Sequence, residues 1–215
     1  GFTEIMSNSL TKGAYYDALT SYPASACVRI LNPLSADLNV LRQTLLFNAL
    51  EAVELNINHR NGDLKLYEVG NCYYYDQSVE TDNPLNRYSE RYRMGITVTG
   101  ADTAPSWNCK PAPVSFYTLR AAVEKLLRRF GVDIYSLHCE TTDCDLFADA
   151  VSLTHGKREI VRMGVVSPKL RRMFDIKQEV YFAEIEFDNL IRLASKQHIT
   201  AEELSKFPEV KRDLA

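Results

Sequence analysis

No nucleotide-cradling glycine loop occurs in this chain of 215 residues. Neither GxGxxG nor GxxxxGK[ST] is present, and no two of the nine glycines lie two residues apart. HExxH, GxSxG and an EF-hand loop are also missing, which excludes the commonest zinc-peptidase, serine-hydrolase and calcium-sensor readings. No apolar run approaches the roughly 18 residues that a spanning helix needs, and no secretory signal, internal repeat or low-complexity tract is found. Positive charge is in short supply: 25 Lys and Arg face 28 Asp and Glu, giving −3, so any nucleic-acid contact must be local rather than driven by the bulk field. Five cysteines are too scattered and odd in number for a disulfide framework, and reduced thiols in a cytoplasm are expected. His138, Cys139 and Cys144 lack a CxxC or a second pair, so packing is expected of them rather than zinc binding.

What remains is an apolar content of 46% with 25% charged residues, enough for one α+β domain with a substantial core. Residues 32–75 carry the strongest local pattern. Asn32-Pro33 marks a turn, and Leu38, Leu41, Leu45, Ala49, Val53 and Ile57 form an apolar stripe at helical spacing. Either Ser35 or Thr44 can cap that helix, with Thr44 preferred, and Asn61-Gly62 is its stop. A β-rich run follows over residues 64–75, with Tyr73, Tyr74 and Tyr75 read as sheet residues rather than a base-stacking platform. Before it, residues 2–10 read as a buried strand, Thr11 as the cap of a short helix bearing Tyr15, Tyr16 and Leu19, and residues 27–31 as a short strand.

After it, residues 76–91 read as a loop and residues 92–98 as a half-buried strand of period two. Trp107, in a proline-bearing loop, is expected to bury its ring. Leu119, Val123, Leu126, Leu127 and Phe130 define a helix stopped by Gly131, and residues 134–139 a strand. Residues 148–155 and 159–166 make a hairpin over a four-residue turn at His155, Ser167-Pro168 opens a short helix, and residues 179–187 form a strand. Asp188 caps the next helix, and Thr200-Ala201-Glu202-Glu203 has the form of a capping box. Glu140, Asp143, Asp145 and Asp149 make an acidic stretch that needs no magnesium to explain it. Glu68, set among apolar strand residues, needs a buried partner.

Several strings carry a resemblance. Gly1-Phe2-Thr3-Glu4-Ile5, Asn32-Pro33-Leu34-Ser35, Leu41-Arg42-Gln43-Thr44-Leu45-Leu46, Leu66-Tyr67-Glu68-Val69-Gly70, Gly164-Val165-Val166-Ser167-Pro168 and Val180-Tyr181-Phe182-Ala183-Glu184 occur in the order of the bacterial phenylalanine-tRNA ligase β-subunit family, which the chain resembles over nearly its whole length. The resemblance implies a class II aminoacyl-tRNA synthetase-like antiparallel sheet flanked by helices, over residues 1–206. Residues 207–215 would begin an anticodon-binding domain, so the chain reads as a piece of something longer. Residues 145–149 depart from the family, where a His-Pro-Gly-type turn is common.

Within that resemblance, residues 44–75 replace the second class II motif. Catalysis there requires an arginine on the motif strand against the ATP α-phosphate and a glycine-rich third motif. Residues 61–86 contain no arginine and the chain no GxG, so a noncatalytic module with no catalytic, cofactor or metal residue of its own is expected. ATP and magnesium would serve the whole cytoplasmic (αβ)₂ enzyme, which joins phenylalanine to its tRNA and whose α subunit is the partner. Candidate subunit-interface residues are Phe2, Glu4 and Met6 on a sheet edge and Leu45 and Ala49 on the helix after Thr44. Candidate tRNA contacts are Lys125, Arg128 and Arg129, or Lys169, Arg171 and Arg172, although solvated helix ends explain these cations as well. The rival reading is a class II-like ligase domain with its own nucleotide site.

Overall fold

The computed structural model describes the chain apart from residues 34, 36, 104, 105, 109, 197–206, 208, 209, 211 and 213–215. The closing helix expected at Thr200-Ala201-Glu202-Glu203, and most of residues 207–215, lie outside the described residues. In chain order the elements are β1 (Thr3–Glu4), β2 (Leu10–Thr11), β3 (Val40–Leu41), α1 (Leu46–Asn58), β4 (Leu64–Tyr75), β5 (Tyr88–Thr99), α2 (Phe116–Arg129), β6 (His138–Thr141), β7 (Phe147–His155), β8 (Arg158–Val166), α3 (Pro168–Met173), β9 (Val180–Glu186) and α4 (Phe187–Ala194). Seven strands form one sheet in the order β1-β4-β5-β9-β8-β7-β6; β2 and β3 pair separately. Every pairing in the large sheet is antiparallel except β1 with β4, so the expected antiparallel sheet flanked by helices is found.

Alternation along the central strands divides the molecule into two cores. Ile96 and Val98 of β5, Val161 and Met163 of β8, and Ala183 and Ile185 of β9 pack on Leu119, Val123 and Leu127 of α2 and on Leu190 and Leu193 of α4. On the opposite face Leu64, Leu66 and Cys72 of β4 and Phe182 of β9 meet Leu46, Phe47, Leu50 and Val53 of α1 and Leu170 and Phe174 of α3. Tyr15 and Tyr16 close this second core against Phe47, with ring centroids 4.9 and 5.2 Å away.

Helix ends are set by local chemistry. Ser115 and Thr118 form a capping box at the start of α2, and Pro168 opens α3. α1, α2 and α3 all end in a left-handed residue, Arg60 (φ 63°), Gly131 (φ 74°) and Asp175 (φ 49°), with the paired amide-to-carbonyl bonds of a Schellman motif. The stop after α1 is therefore Arg60, just ahead of the Asn61-Gly62 that the sequence suggested.

Several expectations are corrected. Residues 2–10 are not a buried strand: only Thr3–Glu4, both exposed, pair with β4, after which the chain turns so that Ser7 reaches Glu68. Thr11 belongs to β2, and a 3₁₀ turn follows at Gly13–Tyr16. Residues 27–31 contribute a single bridge from Arg29 to Val40, and residues 134–139 divide into a 3₁₀ turn, Ile134–Ser136, and the start of β6. The loop expected over residues 76–91 ends sooner, because β5 already pairs from Tyr88 with Tyr75. The turn expected at residues 155–158 is found: His155 pairs with Arg158, so the two central residues form the loop, with Gly156 at φ 60°. Trp107 is 97% exposed, since its loop runs over the surface and packs no core against the ring.

Candidate functional site: the charged face of the sheet

The face that α1 covers is not uniformly apolar. Its central strands carry Glu68 and Gly70 (β4), Arg93 and Gly95 (β5), Arg162 (β8) and Glu184 (β9), brought together by the register Gly70↔Arg93, Gly95↔Glu184 and Arg162↔Glu184. Arg42-Gln43-Thr44, the tripeptide before α1, lies over them and is fully buried.

Arg42 supplies the partner that Glu68 requires. Its Nη1 donates to Glu68 Oε1 at 2.7 Å and to Ser7 Oγ at 3.0 Å, while Nε donates to the Asn71 carbonyl at 3.0 Å. The Ser7 hydroxyl lies 2.6–2.7 Å from both carboxylate oxygens. The two charged side chains are only 4% and 5% exposed. Gly70 is required by this arrangement, since a Cβ there would overlap Arg42 Nη2.

Glu184 organises the second cluster. Its Oε1 accepts from Thr44 Oγ1 at 2.7 Å and from the Leu45 amide at 3.1 Å, at the N-terminus of α1, where the helix dipole favours an anion. Oε2 accepts from Tyr22 Oη at 2.9 Å and from Arg93 Nη1 at 2.7 Å. Arg93 also pairs with Glu186. Gln43 connects the parts: its backbone amide donates to Tyr16 Oη at 3.0 Å, and its carbonyl accepts from Tyr74 Oη at 2.5 Å and from Arg93 Nη1 at 3.3 Å.

Burial, with the nearby Glu184 charge, pushes the Tyr22 hydroxyl well above its ordinary range. Burial likewise raises the Cys72 thiol. Burial alone would lower the Arg93 pKa, but Glu184, Tyr22, Tyr74 and Glu186 together hold it well above the usual guanidinium value. These groups therefore keep fixed protonation states through the neutral range and provide no acid or base for catalysis. Arg42, Arg93 and Arg162 are each committed to a carboxylate, Glu68, Glu184 with Glu186, and Glu159 respectively. A triphosphate would have to displace those carboxylates, so the residues of this face do not fit an ATP site.

The acidic stretch has a structural account as well. Asp145, in the turn that departs from the family, accepts hydrogen bonds from the Thr20 amide and hydroxyl and from the Ser21 amide, tying residues 20–21 to the β6–β7 connection. Burial opposes its charge, but these bonds hold its carboxyl below the usual range. Among the described residues no group of three or more His, Cys, Asp or Glu is placed to hold a metal ion. Cys139 is exposed on the edge strand, while the Cys144 thiol is buried beside Arg162.

Of the candidate interface residues, Phe2, Glu4 and Met6 are exposed at the β1 edge. Leu45 and Ala49 are not available to a partner: they are 1% and 3% exposed, on the side of α1 that faces the sheet. Phe2 shares a groove of about 300 Å³ with Tyr67, Met94, Leu126, Lys125 and Arg129, so two sets of candidates, interface and tRNA, meet on one apolar surface with cations at its rim. Arg128 is exposed on the same helix. Lys169, Arg171 and Arg172 lie on α3, which packs on the opposite face of the sheet. Sequence reasoning missed Arg42 and the Arg93–Glu184 pair, because nothing local distinguishes a cation that pairs 26 or 91 residues away. The one available signal was Glu68, an acid in an apolar strand.

Comparison with known proteins adds the following. Residues 1–187 match the family model described as the phenylalanyl tRNA synthetase beta chain CLM domain. Phenylalanine–tRNA ligase beta subunits from Bacteroides thetaiotaomicron and Porphyromonas gingivalis are 47% and 41% identical over the whole of this chain. The chain spans about a quarter of the length of these relatives, 26% in both cases. Among solved structures, a pyrrolysyl tRNA synthetase from Desulfitobacterium hafniense superposes with a TM-score of 0.63 at 14% identity, covering 90% of this chain and 63% of that one, a likeness of fold alone.

Proposed function

The chain belongs to the phenylalanyl-tRNA synthetase β-chain family defined by its CLM domain, and on that premise we propose that it is a noncatalytic module of the β subunit of phenylalanine–tRNA ligase, serving subunit assembly and the placement of neighbouring domains. The enzyme as a whole joins phenylalanine to its tRNA with ATP and magnesium in the cytoplasm, and the adenylate chemistry belongs to the α subunit. One observation supports the noncatalytic reading above others: the three buried or half-buried guanidiniums at the centre of the charged face, Arg42, Arg93 and Arg162, are each already paired with a carboxylate. Transition-state stabilisation of a phosphoryl group needs cations that are free to meet it, and here the anion position at the start of α1 is filled by Glu184. Such a face serves to lock the N-terminal segment onto the sheet.

Assembly is assigned to the open β1 edge with its neighbouring groove, where Phe2 and Met6 are exposed, at 39% and 93%. Two experiments test the proposal. Calorimetric titration of the chain with ATP and with phenylalanine is expected to give no binding heat, and saturable binding of either would establish the rival ligase-domain reading. Co-purification with the α subunit is expected to succeed for the β subunit and to weaken at least tenfold for Phe2→Asp with Met6→Asp. Undiminished capture of that folded variant would move the interface elsewhere.

A further inference from the structure

One edge of the large sheet stays open. The outermost strand opposite β1 is β6, His138-Cys139-Glu140-Thr141, and its neighbour among the described residues is β7 alone. All four residues are exposed, and none is the proline or lysine with which edge strands are commonly blunted. The Thr142 amide donates to the Ala150 carbonyl at 3.1 Å, and backbone groups alternate sides along a strand, so His138 and Glu140 turn theirs toward β7. Cys139 and Thr141 therefore turn theirs outward, with no strand to receive them among the described residues.

The charges on this edge are self-complementary in one register. A two-fold axis through a sheet keeps each side chain on its own face, and directly opposite residues share a face, so two antiparallel copies must place some residue opposite itself. Centred on Cys139, the two outward Cys139 backbones exchange amide-to-carbonyl bonds, and His138 of each copy falls opposite Glu140 of the other. Those are the non-hydrogen-bonded positions, where side chains approach most closely and opposite charges stabilise. Centred on His138 or Glu140, the same edge sets like groups against each other; centred on Thr141, it pairs no charges. Within one chain His138 Nε2 already lies 3.7 Å from Glu140 Oε1, and the side chains are 74% and 57% exposed, so both are available to a facing strand. Tyr135, 88% exposed just before β6, would meet the segment beyond Thr141 of the second copy.

We propose that β6 is a self-association edge, on which two copies of this chain pair antiparallel about Cys139 and continue the sheet from one copy into the other. The contact leaves β1 and its groove free, since β1 lies at the far end of the strand order. Four edge residues and one tyrosine from each copy make a small interface, so the association is of the weak, transient class. It stands apart from the assembly role assigned to the β1 edge.

The test is sedimentation velocity of the chain at about pH 6, where an ordinary imidazole is mostly protonated, over about 10 to 500 µM. A concentration-dependent dimer is expected. Diamide, which takes up the two thiol hydrogens as a disulfide forms, should cross-link that dimer through Cys139, because Cα atoms of a hydrogen-bonded antiparallel pair lie about 5.5 Å apart. Cys27, Cys72 and Cys144 are buried, and a Cys109→Ser background leaves Cys139 as the reporter. Glu140→Lys sets a cation against His138 and is expected to weaken the dimer and slow cross-linking about tenfold, with an unchanged melting temperature. His138→Glu with Glu140→Lys recreates opposite charges across the axis and should restore both. A monomer at every concentration, a dimer that diamide does not cross-link, indifference to Glu140→Lys, or no recovery in the double variant would each overturn the proposal. Loss of the dimer only in Phe2→Asp with Met6→Asp would overturn it in favour of self-association at the β1 edge.

Discussion

Replacing Glu68 by Gln keeps the side chain's size and removes its charge, leaving Arg42 buried with no counterion. Arg42 and Glu68 are 4% and 5% exposed, and their shared contact is 2.7 Å. After the change Arg42 retains the Asn71 carbonyl and the Ser7 hydroxyl, neither of which offsets a full charge. Breaking a buried pair from one side costs about 3–5 kcal/mol, which for a chain of this length lowers the melting temperature by roughly 6–20 °C. Replacing both partners, Arg42→Met with Glu68→Met, removes the charge and its desolvation together, and is expected to fall within about 1 kcal/mol of the parent or above it. The solvent-facing pair Arg120–Glu124, where Arg120 is 41% exposed, supplies the control: Glu124→Gln should cost only a few tenths of a kcal/mol. Urea unfolding at pH 7 measures all four proteins, with equal m-values required for the comparison. A cost below 1 kcal/mol for Glu68→Gln, or a double variant as unstable as the single one, would refute the claim that the pair is locked by desolvation.

Gly70→Ala should destabilise by about 1–3 kcal/mol through overlap with Arg42, and by much less in an Arg42→Met background, a coupling that a double-mutant cycle reads directly. Asp145 has a depressed carboxyl pKa in the folded chain, so its stabilisation is complete above the unfolded value of about 3.9 and is lost as pH falls through the lower folded value. The urea midpoints of the parent and Asp145→Asn should accordingly differ at pH 6 and converge below about pH 4. Arg60→Gly relieves a left-handed non-glycine residue at the end of α1 and should raise stability by up to about 1 kcal/mol, visible as a higher melting temperature. Trp107, the chain's single tryptophan, should be quenched by iodide in the folded state almost as efficiently as in urea; strong protection would contradict its exposed position.

Elements whose pattern is complete within a dozen residues were legible. The stripe after Thr44, the stripe of α2 and the proline at the start of α3 all placed helices close to where they occur, because one amphipathic face and one cap are local facts. The N-terminal 45 residues were not legible in this way. Their course is dictated by distant partners: Ser7 by Glu68, Tyr22 by Glu184, and residues 20–21 by Asp145. Each of these polar side chains abandons a regular ladder for a long-range contact, so periodicity has nothing to detect. The candidate site shows the same division. Exposed cations could be named from sequence, whereas Leu45 and Ala49 were assigned to a surface because a helical stripe does not say whether it faces a partner or the chain's own sheet.

The two faces of the sheet point to why charge persists in a module with no reaction to run. The core under α2 and α4 is hydrocarbon and is fitted mainly by shape, with directional bonds only at its margin, where the Asn189 amide of α4 donates to the Glu159 carbonyl at 2.9 Å. The face under α1 receives a long, irregular segment that has little regular hydrogen bonding of its own, and directional pairs determine where it lies: Arg42 at Glu68, Thr44 at Glu184, Gln43 beside Cys27. Three of the groups are mutually conditional, because Arg42 without Glu68, Glu68 without Arg42, or either with a side chain at Gly70 is worse than the set intact. No single substitution from this set leads toward a hydrocarbon core without first exposing the fold to a buried, unpaired charge. On this argument the pairs are retained as registration devices for the N-terminal segment, and the Arg42→Met, Glu68→Met protein should keep its stability while that segment gains amide exchange relative to β4 and β5.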